Sequence, residues 1–599
     1  MSSSLQVVYG SDAIVRQLSR LNLPYIALVP GSSFRGLHDS LVNFNGNRNP
    51  EIILCLHEEH SVAIAHGFAK VTERPMAAVV HDAVGLMHAT VAIYNAHCDR
   101  MPVLVLGGNG PLDATRRRPW IDWIHTTGDE GALIRPFVKF DDQPASVQAA
   151  VQSVVTATAA AARIPRGPTY VCLDVALQED KLESPDAVRF PSTERYLQAA
   201  ANHPGPSDKD VERILDVLLE AEPERRLFLF GRVNRSRRSW DQRIELAERY
   251  DARVLTDLKV AAAFPTHHPL HAAPPDLFLS PQAIDVIRSA TVIVSFDWVD
   301  LAGTLQTVFD GLGEPPSSVR VVHITLDSPA VHDGWTKSHF AQPPVDIPVA
   351  ADVDETISAL LAATTPPSTP SSTPAPTPAI RNPLAPRQAS DKIRITDLAN
   401  ALYFAIPASE LCLIRAPLSF RGADLRATHP LSYLGQDGGA ATGSGPGNAV
   451  GAALALQHAR GRPPAAAAAA AAAVVPVAVL GDGDFLMGAS ALWTAAHHAV
   501  PLLVVVANNE SFHNDEEHQA AIARIRGRPV ENKGVGTEIR DPAPDVTGLA
   551  VSLGAVKVAD GRVERRAELD PVLRRAAGVV REEGKVAVVD VFVWPEEEA

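Results

Sequence analysis

Cysteine is scarce in this chain, and its four copies suggest no built site. Cys55, Cys98, Cys172 and Cys412 lie far apart and form no CxxC pair. That spacing argues against a zinc ribbon and against a disulfide framework. Cys55 and Cys172 sit in apolar, strand-like runs, as buried free thiols of a reducing compartment do. Positive charge is also short: the formal charge is −15 and the pI about 5.8. That balance argues against nucleic acid or an anionic membrane as the main partner. No apolar run reaches transmembrane length, and Met1-Ser2-Ser3-Ser4 does not open a signal peptide. The expected location is therefore the cytoplasm.

What is present is an ordinary globular composition, 46% hydrophobic and 21% charged over 599 residues. That length accommodates three or four domains. Short apolar runs alternate with helical patterns. Tyr25–Val29, Ile52–Leu56, Met76–Val80, Val103–Leu106 and Thr169–Leu173 read as buried strands, with helices such as Ser61–Lys70 and Leu86–His97 between them. Leu227–Phe230, Val292–Phe296 and Val321–Leu326 repeat the theme, and so do Leu411–Ile414, Val474–Leu480, Leu502–Ala507 and Val586–Phe592. Strand–helix alternation implies βαβ units and parallel sheets. The expected class is α/β, with three doubly wound parallel-sheet domains at 1–185, 205–362 and 388–599. A Pro/Ser/Thr-rich linker occupies 363–387. Pro463-Pro464 and the alanines 465–473 read as a surface insertion.

The densest chemistry lies at Gly481-Asp482-Gly483-Asp484, which follows the apolar strand ending at Leu480 and precedes a helix over Ala489–His498. Glycines there let the backbone approach a phosphate, and a helix N-terminus favours an anion. An aspartate so placed can hold a hard divalent cation. A second strand ends in Asn508-Asn509-Glu510-Ser511, and adjacent parallel strands bring Asp482 and Asn509 to one carboxyl edge. A Gly-Asp-Gly turn alone occurs in many βα junctions; the 27-residue spacing to Asn509 makes the pattern more specific.

With that spacing, the chain resembles the thiamine diphosphate-dependent superfamily of acetolactate synthase, benzoylformate decarboxylase and pyruvate decarboxylase. The resemblance covers nearly the whole chain. It implies a pyrimidine-binding first domain, a middle domain and a diphosphate-binding last domain. It also implies thiamine diphosphate and Mg²⁺, with Asp482, Asn509 and the Ser511 carbonyl as metal ligands and Gly481, Gly483 and Asp484 around the diphosphate. Gly438–Gly451 matches the family's glycine-rich segment. Thr442 stands there where the family carries a bulky apolar residue that bends the cofactor, so this chain departs by one hydroxyl.

By the same resemblance Glu58, nine residues before Gly67, is the glutamate that activates the cofactor; taken alone, Glu58 and Glu59 simply complement a helix N-terminus. The loop Val29-Pro30-Gly31-Ser32 matches one that binds cofactor through Pro30 and a substrate carboxylate through Ser32, although Ser32 also suits a turn or cap. His81 matches a catalytic histidine and equally suits a structural role. Asp515, six residues after Asn509, matches a catalytic acid, whereas a run of three acids also suits a solvated helix start. Arg116-Arg117-Arg118 with Trp120 and Trp123 reads as a basic loop with interface aromatics. No dinucleotide fingerprint follows Leu227–Phe230, so flavin (FAD) is not supported.

The implied function is decarboxylation of a 2-oxo acid, or carboligation with an aldehyde or second oxo acid, in a homodimer or homotetramer. Two alternatives stand beside it. One is a thiamine-dependent lyase or hydrolase working without decarboxylation or on an acyl-CoA. The other is a cofactor-binding subunit without turnover.

Overall fold

The computed structural model describes residues 6–309, 313–327, 342–364, 391–460 and 474–595. Apart from Ala363 and Thr364, the expected linker lies outside the described residues, as does the alanine run.

Three parallel sheets are present. The first contains β1 (Tyr25–Leu28), β2 (Glu51–Leu54), β3 (Met76–Val80), β4 (Val103–Asn109), β5 (Asp141–Asp142) and β6 (Thr169–Asp174), in the order β2-β1-β3-β4-β6-β5. The second contains β7 (Arg226–Phe230), β8 (Arg253–Thr256), β9 (Val292–Phe296), β10 (Arg320–Ile324) and β11 (Ile347–Val349), in the order β11-β10-β9-β7-β8. The third contains β12 (Leu411–Arg415), β13 (Val475–Gly481), β14 (Leu502–Asn508), β15 (Val556–Lys557) and β16 (Val586–Phe592), in the order β12-β13-β14-β16-β15. The order reverses within each sheet, as in doubly wound folds. β5, β11 and β15 are two or three residues long, and β8 has only Val254 and Leu255 as apolar residues, so none leaves a hydrophobic run in the sequence.

The first and third sheets share one core. Ala63, Ile64 and Phe68 from the first domain pack in the same cluster as Ala449, Val450, Phe485 and Val504 from the last. The contact is made by two helices, Glu58–Thr72 and Ser444–Arg460. They approach so closely that a Cβ at Gly67 would lie 2.1 Å from the Asn448 carbonyl oxygen, and one at Gly451 2.0 Å from that of Ile64. Small residues on the seam permit this approach. The middle domain buries its own two faces, one around Phe228, Phe230 and Phe296 and the other around Leu227, Ile293 and Leu305.

A cavity of about 570 Å³ lies where the three domains meet. Its charged lining pairs internally: Arg100 reaches Asp327 at 2.7 Å and Arg166 reaches Glu73 at 3.0 Å. Cys55, Cys172 and Cys412 are buried free thiols, and Cys98 is half-buried. Among the described residues no helix is long and apolar enough to cross a membrane.

Candidate active site

β13 and β14 pair in parallel with Gly481 beside Ala507, so both strands deliver their next residues to one edge. The helix expected to begin at Ala489 begins at once: Asp482–Gly488 is helical and Ala491–His497 forms a second helix. Asp482 is almost fully buried. Its Oδ1 accepts from the Gly483 amide at 2.9 Å and its Oδ2 from the Ser511 amide at 3.1 Å. Asn509 Oδ1 shares the Ser511 amide at 3.2 Å. Asp482, at the end of β13, and Asn509 and Ser511, after β14, are thus gathered at one sheet edge. Burial pushes the Asp482 carboxyl above its usual pKa, and backbone amides counter it. Buried hard oxygens held by amides rather than by a basic side chain fit a small dication such as Mg²⁺.

The two asparagines divide the work. Asn508 donates to Asp590 Oδ1 on β16 at 3.0 Å, leaving Asn509 for the edge. A Cβ at Gly481 would meet no atom within 4 Å, whereas one at Gly483 would lie 2.5 Å from the Phe512 ring. Gly483 is therefore demanded by packing, and Gly481 faces open space. Asp484 turns inward: its Oδ1 accepts from the Gly443 amide at 2.7 Å and its Oδ2 pairs with Arg415 at 2.9 Å. It clamps the glycine-rich segment. Thr442, the residue before, is exposed.

Of the acids after the motif, Asp515 is exposed and Glu516 is buried. Glu516 accepts from the Ser511 hydroxyl and lies 3.7 Å from Lys533 Nζ. The acid that reaches the loop of Asn509 and Ser511 is thus Glu516, one residue and about 100° of helix away from Asp515.

In the first domain, His57 caps the helix Glu58–Thr72 by accepting from the Glu59 amide at 3.1 Å. The two glutamates then diverge. Glu59 faces the last domain and accepts from the Ser444 hydroxyl at 2.6 Å. Burial, with Asp437 and Asp484 nearby, raises its pKa to about 7. Glu58 faces the helix Asp82–Cys98 and meets His88 Nδ1 at 3.0 Å. A Cβ at Gly85 would lie 3.2 Å from both Glu58 and His81; the missing side chain lets those two groups converge.

His81 Nδ1 bonds Ser33 Oγ at 2.8 Å, and its Nε2 lies 3.2 Å from Asp82 Oδ2. Burial, with His125 adjacent, lowers its pKa. Ser33 is the hydroxyl on His81, while Ser32 opens a 3₁₀ turn and stays half-exposed. Pro30 is exposed beside it, and a Cβ at Gly31 would lie 2.7 Å from the His81 ring.

In the basic loop Arg116 pairs with Asp180 at 2.5 Å and Arg118 with Asp122 at 2.7 Å. Its neighbour His125 is the residue that sequence reasoning missed. The His125 ring meets His81 edge-on at 4.9 Å. A lone histidine 44 positions from His81 carries no local signal that the two will touch.

Residues 8–130 match the family described as the N-terminal TPP-binding domain of thiamine pyrophosphate enzymes, and residues 419–591 match the corresponding C-terminal domain. The chain belongs to the thiamine diphosphate-dependent enzyme superfamily that includes acetolactate synthases and benzoylformate decarboxylases. It is similar to a probable 2-ketoarginine decarboxylase of Pseudomonas aeruginosa, 23% identical over 84% of this chain and 82% of that protein. It is similar to an acetolactate synthase of Mycobacterium avium, 22% identical over 98% and 89% of the two chains. The crystal structure of benzoylformate decarboxylase from Polynucleobacter necessarius shares the fold, with a TM-score of 0.75 at 19% identity over 98% of this chain and 99% of that one.

Proposed function

We propose that this enzyme uses thiamine diphosphate with Mg²⁺ to decarboxylate a 2-oxo acid, releasing an aldehyde or joining the remaining fragment to a second carbonyl. The observation that carries the reading is the division of labour between the two edges. Asp482, Asn509 and Ser511 gather buried oxygens for a dication and diphosphate, and Glu58 and His81 converge at Gly85.

The chemistry the cofactor supplies when bound is addition to a substrate carbonyl and storage of the electron pair released as the adjacent carbon–carbon bond breaks. The chain's own groups do the rest. Glu58 would exchange a proton with the pyrimidine ring at its carboxyl oxygen. Neutral His81, oriented by Ser33, takes or gives a proton at Nε2. Asp484 keeps the glycine-rich segment in place, with Thr442 presented at its tip.

A second copy of the chain completes the site in this reading. On helix Asp82–Cys98, Val84, Met87, Val91 and Tyr94 form an exposed apolar stripe, and Met487 beside the cofactor motif is 63% exposed. Uncovered apolar surface at both edges favours a homodimer or homotetramer.

Carbon dioxide release from a panel of aliphatic, aromatic and guanidino 2-oxo acids tests the reading, with chromatography separating aldehydes from acyloins. Glu58→Gln is expected to lower turnover by roughly 10²-fold or more. Unchanged turnover in that variant overturns the role of Glu58. A panel that yields no carbon dioxide while acyl-CoA or acyloin substrates are cleaved favours the non-decarboxylating alternative.

A further inference from the structure

The structure assigns a second metal site to this enzyme, built from His81, Asp82 and His125, and we propose that it takes a transition-series dication such as zinc. It is separate in place and in chemistry from the oxygen site at Asp482.

Three ligand atoms converge there. His81 Nε2 lies 3.2 Å and His125 Nδ1 3.5 Å from Asp82 Oδ2, and all three atoms fall within 4.8 Å of one another. Bonds of about 2.0–2.2 Å arranged tetrahedrally place ligand atoms about 3.3–3.6 Å apart. The two distances to Asp82 therefore already match a zinc-sized ion. The two histidine rings meet edge-on, at 81°.

Each ligand is also aimed by a partner. Ser33 Oγ occupies His81 Nδ1 at 2.8 Å, which leaves Nε2 facing Asp82. The Val84 amide donates to Asp82 Oδ1 at 3.3 Å, which leaves Oδ2 facing the rings. His125 Nδ1 is buried and makes no hydrogen bond. A buried acceptor or donor left unmet is costly unless something else satisfies it. Asp82 holds a φ of 27°, a conformation that an L residue adopts only where its surroundings impose it.

Ligand type decides which ion. Two imidazoles and one carboxylate select zinc, cobalt or nickel over magnesium. Three protein ligands leave a fourth position for water, and the side chains of His81 and His125 keep 16% and 19% exposure. The surrounding charge is mixed: Glu58 and Asp122 act on Asp82, and Arg118 acts on His81. The proposed reaction uses the His81 Nε2 lone pair, so the metal-free site is the reactive form and occupancy by the ion inhibits proton transfer there.

The test uses the full chain saturated with thiamine diphosphate and Mg²⁺ and titrated with Co²⁺, whose visible absorption reports coordination number. One Co²⁺ per chain is expected, with the intense bands of a four-coordinate ion that persist in excess Mg²⁺. Asp482→Asn should retain these bands, and His125→Gln and Asp82→Asn should each weaken binding by at least 10-fold, with circular dichroism checking their fold. Absence of such bands in the unaltered enzyme overturns the site. So does Co²⁺ binding that Mg²⁺ abolishes, or that survives in both folded ligand variants. None of these readouts depends on turnover, so their failure leaves the proposed reaction standing.

Discussion

Neighbouring side chains of one chemical kind are assigned different tasks throughout this site. Asp482 offers its carboxylate to the strand edge, and Asp484, two residues on, anchors the glycine-rich segment through Arg415 and two amides. Asp482→Asn should lower the affinity for Mg²⁺ and thiamine diphosphate by at least about 10-fold, measured by calorimetry, because it removes the only charged member of that oxygen set. Glu59 makes a pH-dependent prediction. Its folded pKa, raised to about 7 by burial, lies above that of the unfolded chain. The folded state therefore binds the extra proton between the two values, and stability falls as pH rises through that window. Glu59→Gln keeps an acceptor for Ser444 and cannot ionise. Its melting temperature should exceed that of the unaltered enzyme at about pH 8 and lose this advantage at about pH 5; equal shifts at both pH values would refute the assignment.

At the scale of elements, the junction of helices Glu58–Thr72 and Ser444–Arg460 holds both halves of the site in register. One helix carries Glu58 at its start, and the other follows Thr442 and the segment clamped by Asp484. Glycine at 67, 447 and 451 removes the side chains that would separate them. Gly67→Ala puts a methyl 2.1 Å from a backbone oxygen, which no rotamer can relieve. The cost expected from overpacking is about 1–3 kcal/mol, read as an earlier urea midpoint. A thiamine diphosphate affinity reduced in the same variant would show that the seam also sets the site's geometry.

The whole molecule leaves one broad feature unsatisfied within a single chain. Besides the stripe Val84, Met87, Val91 and Tyr94, Trp120 is 68% and Trp123 78% exposed. Apolar side chains recurring at three- and four-residue intervals on one helix are a packing face. Met87→Glu should shift the assembly to monomers by light scattering and abolish turnover together. Active monomers would show that each chain holds a complete site.

The sequence by itself determined the three α/β units, the parallel strands and the strand-edge oxygen set, because each is encoded locally. A buried parallel strand is a short apolar run, and one βαβ step fixes how far Asp482 stands from Asn509. Glu58 is nominated only by the family resemblance, through its spacing to Gly67; read locally, Glu58 and Glu59 are two equivalent acids at a helix start. Tertiary structure alone decided which member of each adjacent pair faces which way. Glu58 turns to His88 and Glu59 to Ser444; Ser33 rather than Ser32 meets His81; Glu516 rather than Asp515 meets Ser511. A helix turns about 100° per residue, so an uncertainty of one position redirects a side chain to another face. The approach of His125 to His81 and Asp82 had no local signature, because the short helix Ile121–His125 beyond β4 and the end of β3 meet only once the sheet has formed.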